Sequence, residues 1–162
     1  MQAVVTKMKI RKANLKDLKQ INEIYTEGSI DEGRLQFQHF SKKEMIKDLK
    51  KHKWRRIKGW KKELKAKNNF WIVAEENEKI IGFANADIDK DKDGRLTFLY
   101  VRREYRKKGV GKKLTKKRID WLKSKKIKRI ESGVYLQNKP SINNLKKLGF
   151  KPISIKLQLK LK

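Results

Sequence analysis

Residues 106–112, RKKGVGK, join two segments of different period. Upstream, residues 96–101 (LTFLYV) are β-branched, aromatic and aliphatic, the pattern of a strand. Downstream, Val110, Leu114 and Leu122, with Trp121, mark the inward face of a helix, and Lys112, Lys113, Lys116, Lys117 and Arg118 occupy the rest of its surface. A chain that passes from strand to helix through two glycines can bring its backbone close to a bulky ligand and aim successive N–H groups at it. The helix start adds partial positive charge, and the neighbouring Lys and Arg add whole charges. The guest this arrangement favours is a pyrophosphate.

The remaining elements follow from period and punctuation. Residues 8–11 alternate apolar and basic, a short strand. Asn14 caps the next helix with Asp17 three residues on, and Leu15, Leu18, Ile21, Ile24 and Tyr25 form its face up to a stop near Gly28. Residues 31–40 read as a polar loop carrying Phe37 and Phe40. Ser41 caps another helix with Glu44 as box partner, running toward Lys67 through Ile46, Leu49, Ile57, Trp60 and Leu64. Its stripe fails at residues 51–56 (KHKWRR), which leaves two helices or one long helix with a basic middle turn. Trp54 there has two readings: a stacking contact for nucleic acid held by flanking cations, or a tryptophan covering the edge of the core.

Residues 70–74 and 79–88 pair as a hairpin, and a second turn at 89–94 leads into the strand before the glycine loop, expected to end at Arg103. Residues 128–136 read as a further strand. Pro140 starts and Gly149 stops a short helix. Residues 150–161 alternate apolar residues with Lys, a half-buried and strongly basic strand. No repeat or linker interrupts the chain, and its length suits one domain over residues 1–162.

Two metal-like patterns carry no metal expectation. Residues 89–94 (DKDKDG) copy the first half of a calcium loop, but the twelfth position, which needs a bidentate Glu, is Tyr100. His39 and His52 have no matching ligands nearby, so neither is expected to bind zinc. With no cysteine, disulfides and thiolate sites are excluded. No apolar run approaches a membrane span or a signal peptide, so a soluble, cytoplasmic protein is expected. Forty-six Lys and Arg against eighteen Asp and Glu give a net charge of +28, a field that attracts polyanions and repels cations. Lysine that merely solvates the surface is the alternative reading.

Residues 99–114 (LYVRREYRKKGVGKKL) resemble the GCN5-related N-acetyltransferase (GNAT) superfamily, whose signature is a strand, then Arg/Gln-x-x-Gly-x-Gly/Ala, then a helix. Residues 138–150 (NKPSINNLKKLGF) are similar to the family's Asn-to-Leu-Gly-Phe segment, and the element order fits along the whole chain. The resemblance implies an α/β (α+β) fold with a central mixed, mostly antiparallel twisted sheet, flanked by helices and splayed between strands 4 and 5. It also implies acetyl-CoA as cosubstrate. The backbone of Leu99, Tyr100 and Val101 would pair with the pantetheine arm. N–H groups across Lys107, Lys108, Gly109, Val110, Gly111 and Lys112 would hold the pyrophosphate, Arg106 and Lys112 would add charge, and Asn138 would hydrogen-bond the cofactor amide.

The departures from the family concern catalysis. Many relatives place a Tyr, which protonates the leaving thiolate, where this chain has Leu145. Others place a Glu base where it has Gly133, or a Glu early in the fourth strand, about where Arg95 stands. Glu27, Tyr105, Glu131 and Tyr135 are candidate substitutes, and no local pattern selects one of them as catalytic. Two functions are therefore expected in competition. One is an acetyl-CoA-dependent N-acetyltransferase that acts on a protein N-terminus, a lysine or a small amine by direct attack in a ternary complex. The other is a basic GNAT-fold module, weakly catalytic or non-catalytic, docked on RNA or the ribosome. The acceptor and the oligomeric state are named by no motif.

Overall fold

The computed structural model describes residues 8–36, 41–157 and 159. Five strands form one sheet in sequential order: β1 (Lys9–Lys12), β2 (Asn69–Glu76), β3 (Lys79–Ile88), β4 (Gly94–Val101) and β5 (Ile130–Ser132). The first four pair antiparallel, and β5 joins β4 in parallel, so the sheet is mixed. The β2–β3 turn places Asn77 and Glu78 at φ of 50° and 61°, the left-handed pair that matches strand twist in a tight hairpin.

Helices cover both faces. Against one lie α1 (Leu18–Gln36) and α3 (Lys53–Glu63), with α2 (Lys42–Lys51) packed on α1; against the other lies α4 (Val110–Ser124), followed after β5 by α5 (Lys139–Lys147). Strand alternation sends Trp71 and Val73 toward α1 and α3, where they join Ile21, Ile24, Trp60 and Phe83. Ile72 and Ala74 point the other way, onto Val110 and Leu114 of α4. A third cluster, around Ala86, Leu96 and Leu122, takes in Leu145 and Phe150 and fastens α5 to the end of the sheet.

Several expectations are corrected. Helix α1 does not stop at Gly28 but runs on to Gln36, so residues 31–36 are helical rather than loop. Gly28 is a packing position: a Cβ there would meet Tyr100 Cδ1 at 2.0 Å, and glycine lets the ring of that strand residue press against the helix. Phe37, His39 and Phe40 lie outside the described residues. The capping boxes at Asn14–Asp17 and Ser41–Glu44 both form, and the basic stretch divides into two helices that meet at His52. Trp54 does not cover the core; it is 73 % exposed.

Strand β4 ends at Val101, because Arg103–Tyr105 turn into a short 3₁₀ helix. Strand β5 has three residues rather than nine, and Tyr135 lies in the turn beyond it, its carbonyl accepting from Asn138 N–H at 2.9 Å. Residues 150–157 and 159 form no strand; Ile153, Ile155, Leu157 and Leu159 are all exposed. Alternation states only that one face can be buried. A strand also needs a partner edge, and none among the described residues lines up with this segment.

Candidate functional site

The site is organised by the point where β4 leaves its neighbour. Strand β4 stays paired with β3 as far as Val101, which lies opposite Gly82. Its pairing with β5 covers only Gly94–Ile130, Arg95–Glu131 and Leu96–Ser132. Past Leu96, the edge of β4 that faces β5 has no strand partner among the described residues, so backbone polar groups there are open to a ligand. This is the splay expected between strands 4 and 5.

A bulge marks the divergence. Ala84 pairs with Leu99 and Ala86 with Leu96, so Thr97 and Phe98 together face Asn85. The extra residue bends the strand and breaks its ladder. Asn85 is buried, and its Oδ1 accepts from Thr97 Oγ1 at 2.5 Å. From α4, Arg118 Nη1 donates to Asn85 O and Phe98 O, both at 3.0 Å. The helix reading put Arg118 on the solvated face, but it is 2 % exposed. Its place between Leu114 and Leu122, four residues from each, was the signal that could have put it inside. Burial alone pulls its pKa down to about 9, so it is still protonated at neutral pH.

Beyond β4 the chain turns through two left-handed residues, Lys107 (φ 60°) and Gly109 (φ 79°), into α4. Gly109 has nothing within 4 Å of where a Cβ would sit, so the space before the helix start is open. No side chain caps this end, and its first backbone bond runs from Lys113 N–H to Gly109 O at 3.1 Å. The N–H groups of Val110, Gly111 and Lys112 are therefore left without backbone partners, beside the positive end of the helix dipole. Gly111 faces β4, where a Cβ would make only ordinary contact with Leu99 at 3.8 Å. The exposed side chains of Lys107, Lys108 and Lys112 surround the turn, with Lys108 Nζ 5.3 Å above the Tyr105 ring. Free amides, an open approach and cations fit a pyrophosphate.

The turn is tethered to α1. Arg106 donates from Nε to Val101 O at 2.8 Å and from Nη1 to Asp31 at 2.7 Å. Asp31 also accepts from Arg103, and Glu27 accepts the Arg103 N–H at 2.9 Å. Burial pushes the Asp31 carboxyl up, but hydrogen bonds and charge from Arg103 and Arg106 outweigh it and hold it below the ordinary carboxylate range. Arg106 thus turns its guanidinium toward α1, and its Nε occupies the Val101 carbonyl. The Tyr100 ring faces α1, where its hydroxyl donates to Glu32 at 2.7 Å; burial and the Glu32 charge raise its pKa. No local pattern signals these α1 partners, which lie more than sixty residues away.

Asn138 N-caps α5, its Oδ1 accepting from Ser141 N–H at 3.3 Å, which leaves its NH₂ group as a donor. The positions where relatives carry acid–base groups are inert. Gly133 has open space around it, Leu145 packs into the third core cluster, and Arg95 pairs with Asp87 at 2.7 Å. Of the substitutes, Glu27 is engaged with Arg103 and Arg106, Glu131 faces Arg129, and Tyr105 lies beneath two lysines. Among the described residues no cluster of His, Asp and Glu is arranged to hold a metal, and no helix is long and apolar enough to cross a membrane.

Comparison with known proteins agrees with this architecture. A structure of PaiA N-acetyltransferase from Thermoplasma acidophilum in complex with coenzyme A superimposes with a TM-score of 0.78 at 21 % identity, covering 93 % of each chain. Aminoglycoside N-acetyltransferase AAC(6')-Iy in complex with CoA superimposes with a TM-score of 0.67 at 19 % identity, covering 100 % of this chain and 99 % of that one. An uncharacterized N-acetyltransferase of Methanocaldococcus jannaschii is 31 % identical over 109 residues, 62 % of this chain; the match spans about half, 47 %, of that relative's length. The family model described as acetyltransferase (GNAT) family matches residues 34–150, which hold the β4 splay, the glycine turn and the Asn138 segment. The chain belongs to the GNAT acetyltransferase family.

Proposed function

We propose that this protein transfers an acetyl group from acetyl-CoA to an amine in a ternary complex. The observation that carries the reading is the uncapped start of α4 beside the open edge of β4. Amides of residues 107–112 hold the pyrophosphate, with charge from Lys112, while Arg106, paired with Asp31 and Glu27, braces the turn against α1. The backbone of Leu99, Tyr100 and Val101, apart from the Val101 carbonyl that Arg106 Nε already holds, receives the pantetheine arm, and Asn138 donates its free NH₂ to the cofactor amide. Bound acetyl-CoA supplies a thioester carbonyl for attack by the amine nitrogen. The chain's share is to hold that carbonyl still against a neutral amine. Fixing two reactants is worth several orders of magnitude by itself.

With Gly133, Leu145 and Arg95 at the family's acid–base positions, the amine proton leaves to water. General acid–base help typically adds a hundred- to ten-thousand-fold, so turnover here is slow and rises with pH as the acceptor amine deprotonates. The acceptor class is a protein N-terminus, a lysine or a small amine. The +28 field disfavours free polyamines and favours an amine presented on a polyanionic assembly. The test is acetyl-CoA-dependent release of thiol with a ribosomal fraction, N-terminal peptides and spermidine as acceptors. Thiol and acetylated product with the first or second are expected. No product with any acceptor, together with no CoA binding, overturns the reading.

A second reading is supported by Trp54. A bare indole on a strongly basic surface, with Lys58 Nζ 5.0 Å above its ring, is the pairing of stacking face and cation that single-stranded RNA uses. In this reading α2 and α3 dock on RNA or a ribonucleoprotein, and any catalysis is secondary. RNA affinity should then fall steeply with salt and drop further in Trp54→Ala. Salt-sensitive binding that ignores Trp54 reduces the charge to non-specific attraction.

A further inference from the structure

Among the described residues, Arg118 is a cation with no counter-ion. It is 2 % exposed, burial is the one influence on its ionisation, and its Nε has no partner among the described residues. A buried charge left unpaired is costly, and a methionine of similar volume would fill the same space without that cost. What the guanidinium does instead is donate from Nη1 to Asn85 O and Phe98 O, and from Nη2 to Thr115 Oγ1. The first two carbonyls flank the bulge of β4, where the ladder is broken and backbone groups lack their regular strand partners.

The location matters for the site. Pairing between β4 and β5 ends at Leu96, the bulge occupies Thr97 and Phe98, and the stretch proposed for the pantetheine arm begins at Leu99. Arg118 therefore grips β4 between its paired half and its open half. The same helix carries the uncapped amides of the glycine turn at its start, eight residues earlier, about 12 Å along the axis. One rigid element thus bears on both stretches of an extended acyl carrier: the phosphates at its N-terminus and the arm along β4.

We propose that Arg118 is a positioning residue that holds the β4 bulge, and with it the backbone of Leu99, Tyr100 and Val101, in register with the phosphate-binding turn, so that the pantetheine arm can pair with the strand. This rests on the acetyl-CoA reading above. A residue that merely filled the core would weaken every ligand alike through loss of stability. A positioning residue at the bulge acts on the arm and spares the nucleotide.

The test compares two ligands by calorimetry: CoA, and its nucleotide half, adenosine 3′-phosphate 5′-diphosphate, which lacks the arm. The proteins are wild type, Arg118→Met and Arg118→Lys, with folding checked by circular dichroism. In wild type, CoA binds more tightly than the nucleotide. In Arg118→Met the nucleotide affinity stays within about twofold, while the CoA advantage shrinks by roughly tenfold or more, as expected for displacing well-placed backbone bonds. Arg118→Lys keeps the charge with fewer donors and recovers part of that advantage; if the Met variant does not fold, the Lys variant decides alone by the same ratio. Where turnover is measurable, kcat falls more than the affinity for the nucleotide half. An unchanged ratio, or equal weakening of both ligands, overturns the role of Arg118 and leaves the acetyl-CoA reading standing. Wild type that binds neither ligand overturns the acetyl-CoA reading, and the role of Arg118 with it.

Discussion

The chain twice passes from strand through turn to helix on the α4 side of the sheet, and the two passages are finished differently. After β5, the start of α5 is closed: Asn138 caps it from its own side chain and Pro140 occupies the first turn, where a missing N–H is no loss. After β4, the start of α4 is open, with no capping side chain, two left-handed residues and vacant space above Gly109. The 3₁₀ turn leading into α1 and the start of α2 are closed as well, by Asn14–Asp17 and Ser41–Glu44. A helix start left uncapped keeps orphan donors and a positive dipole end for something else to satisfy. Helix α3 also starts without a capping side chain, but there the chain runs on from α2 through His52, whereas α4 starts beside an open strand edge; that combination marks the end proposed for binding.

The largest expected effect is at the open end. Gly109→Asp adds a carboxylate where the proposed site holds the phosphates, and a side chain at a φ of 79°. It should weaken CoA at least about a hundredfold, the scale of losing two or three charge-assisted hydrogen bonds. Calorimetry measures it; undiminished binding would remove the distinction between open and closed starts.

At the closed start before α1, Asp17 is 7 % exposed in its side chain and bonded to Arg11 and to Asn14 N–H. Burial pushes its carboxyl up, but those bonds and the Arg11 charge win and hold it below the ordinary value of 3.8. A depressed carboxylate contributes stability above its unfolded pKa and loses it as pH falls through the folded one. Thermal stability should therefore drop below about pH 4. Asp17→Asn should cost about 1–3 kcal/mol at pH 7 and flatten that acid limb, with CoA binding unchanged.

Asn138→Ala removes a cap and should cost about 1 kcal/mol in thermal unfolding. If its NH₂ also reaches the cofactor, CoA affinity falls a few-fold as well; a stability loss alone would assign Asn138 to folding only. Smallest is Trp54→Ala, which should change stability by less than about 0.5 kcal/mol, because the ring covers nothing.

What was legible in the sequence follows the same division. The glycine turn could be read because everything that makes it lies within a few residues: a strand pattern, two glycines and a helical stripe. The capping boxes could be read for the same reason. Gly28 looked like a helix stop because its purpose, admitting the Tyr100 ring, lies seventy-two residues away. The last segment looked like a strand because alternation is local whereas a partner edge is not. The charge of Arg118 points to solvent, whereas its spacing from Leu114 and Leu122 places it on the buried face. The Asp31 tether of the turn was invisible because neither end of it carries a motif.

The proposed function requires that the open start of α4 and the free edge of β4 form one binding site. Backbone amide resonances followed while CoA is added to the ¹⁵N-labelled protein test it directly. Saturable shifts concentrated at residues 107–112 and 99–101, persisting in moderate salt, are expected. Shifts scattered over the lysine-rich surface that vanish with salt would show that CoA is held by charge alone, and would contradict it.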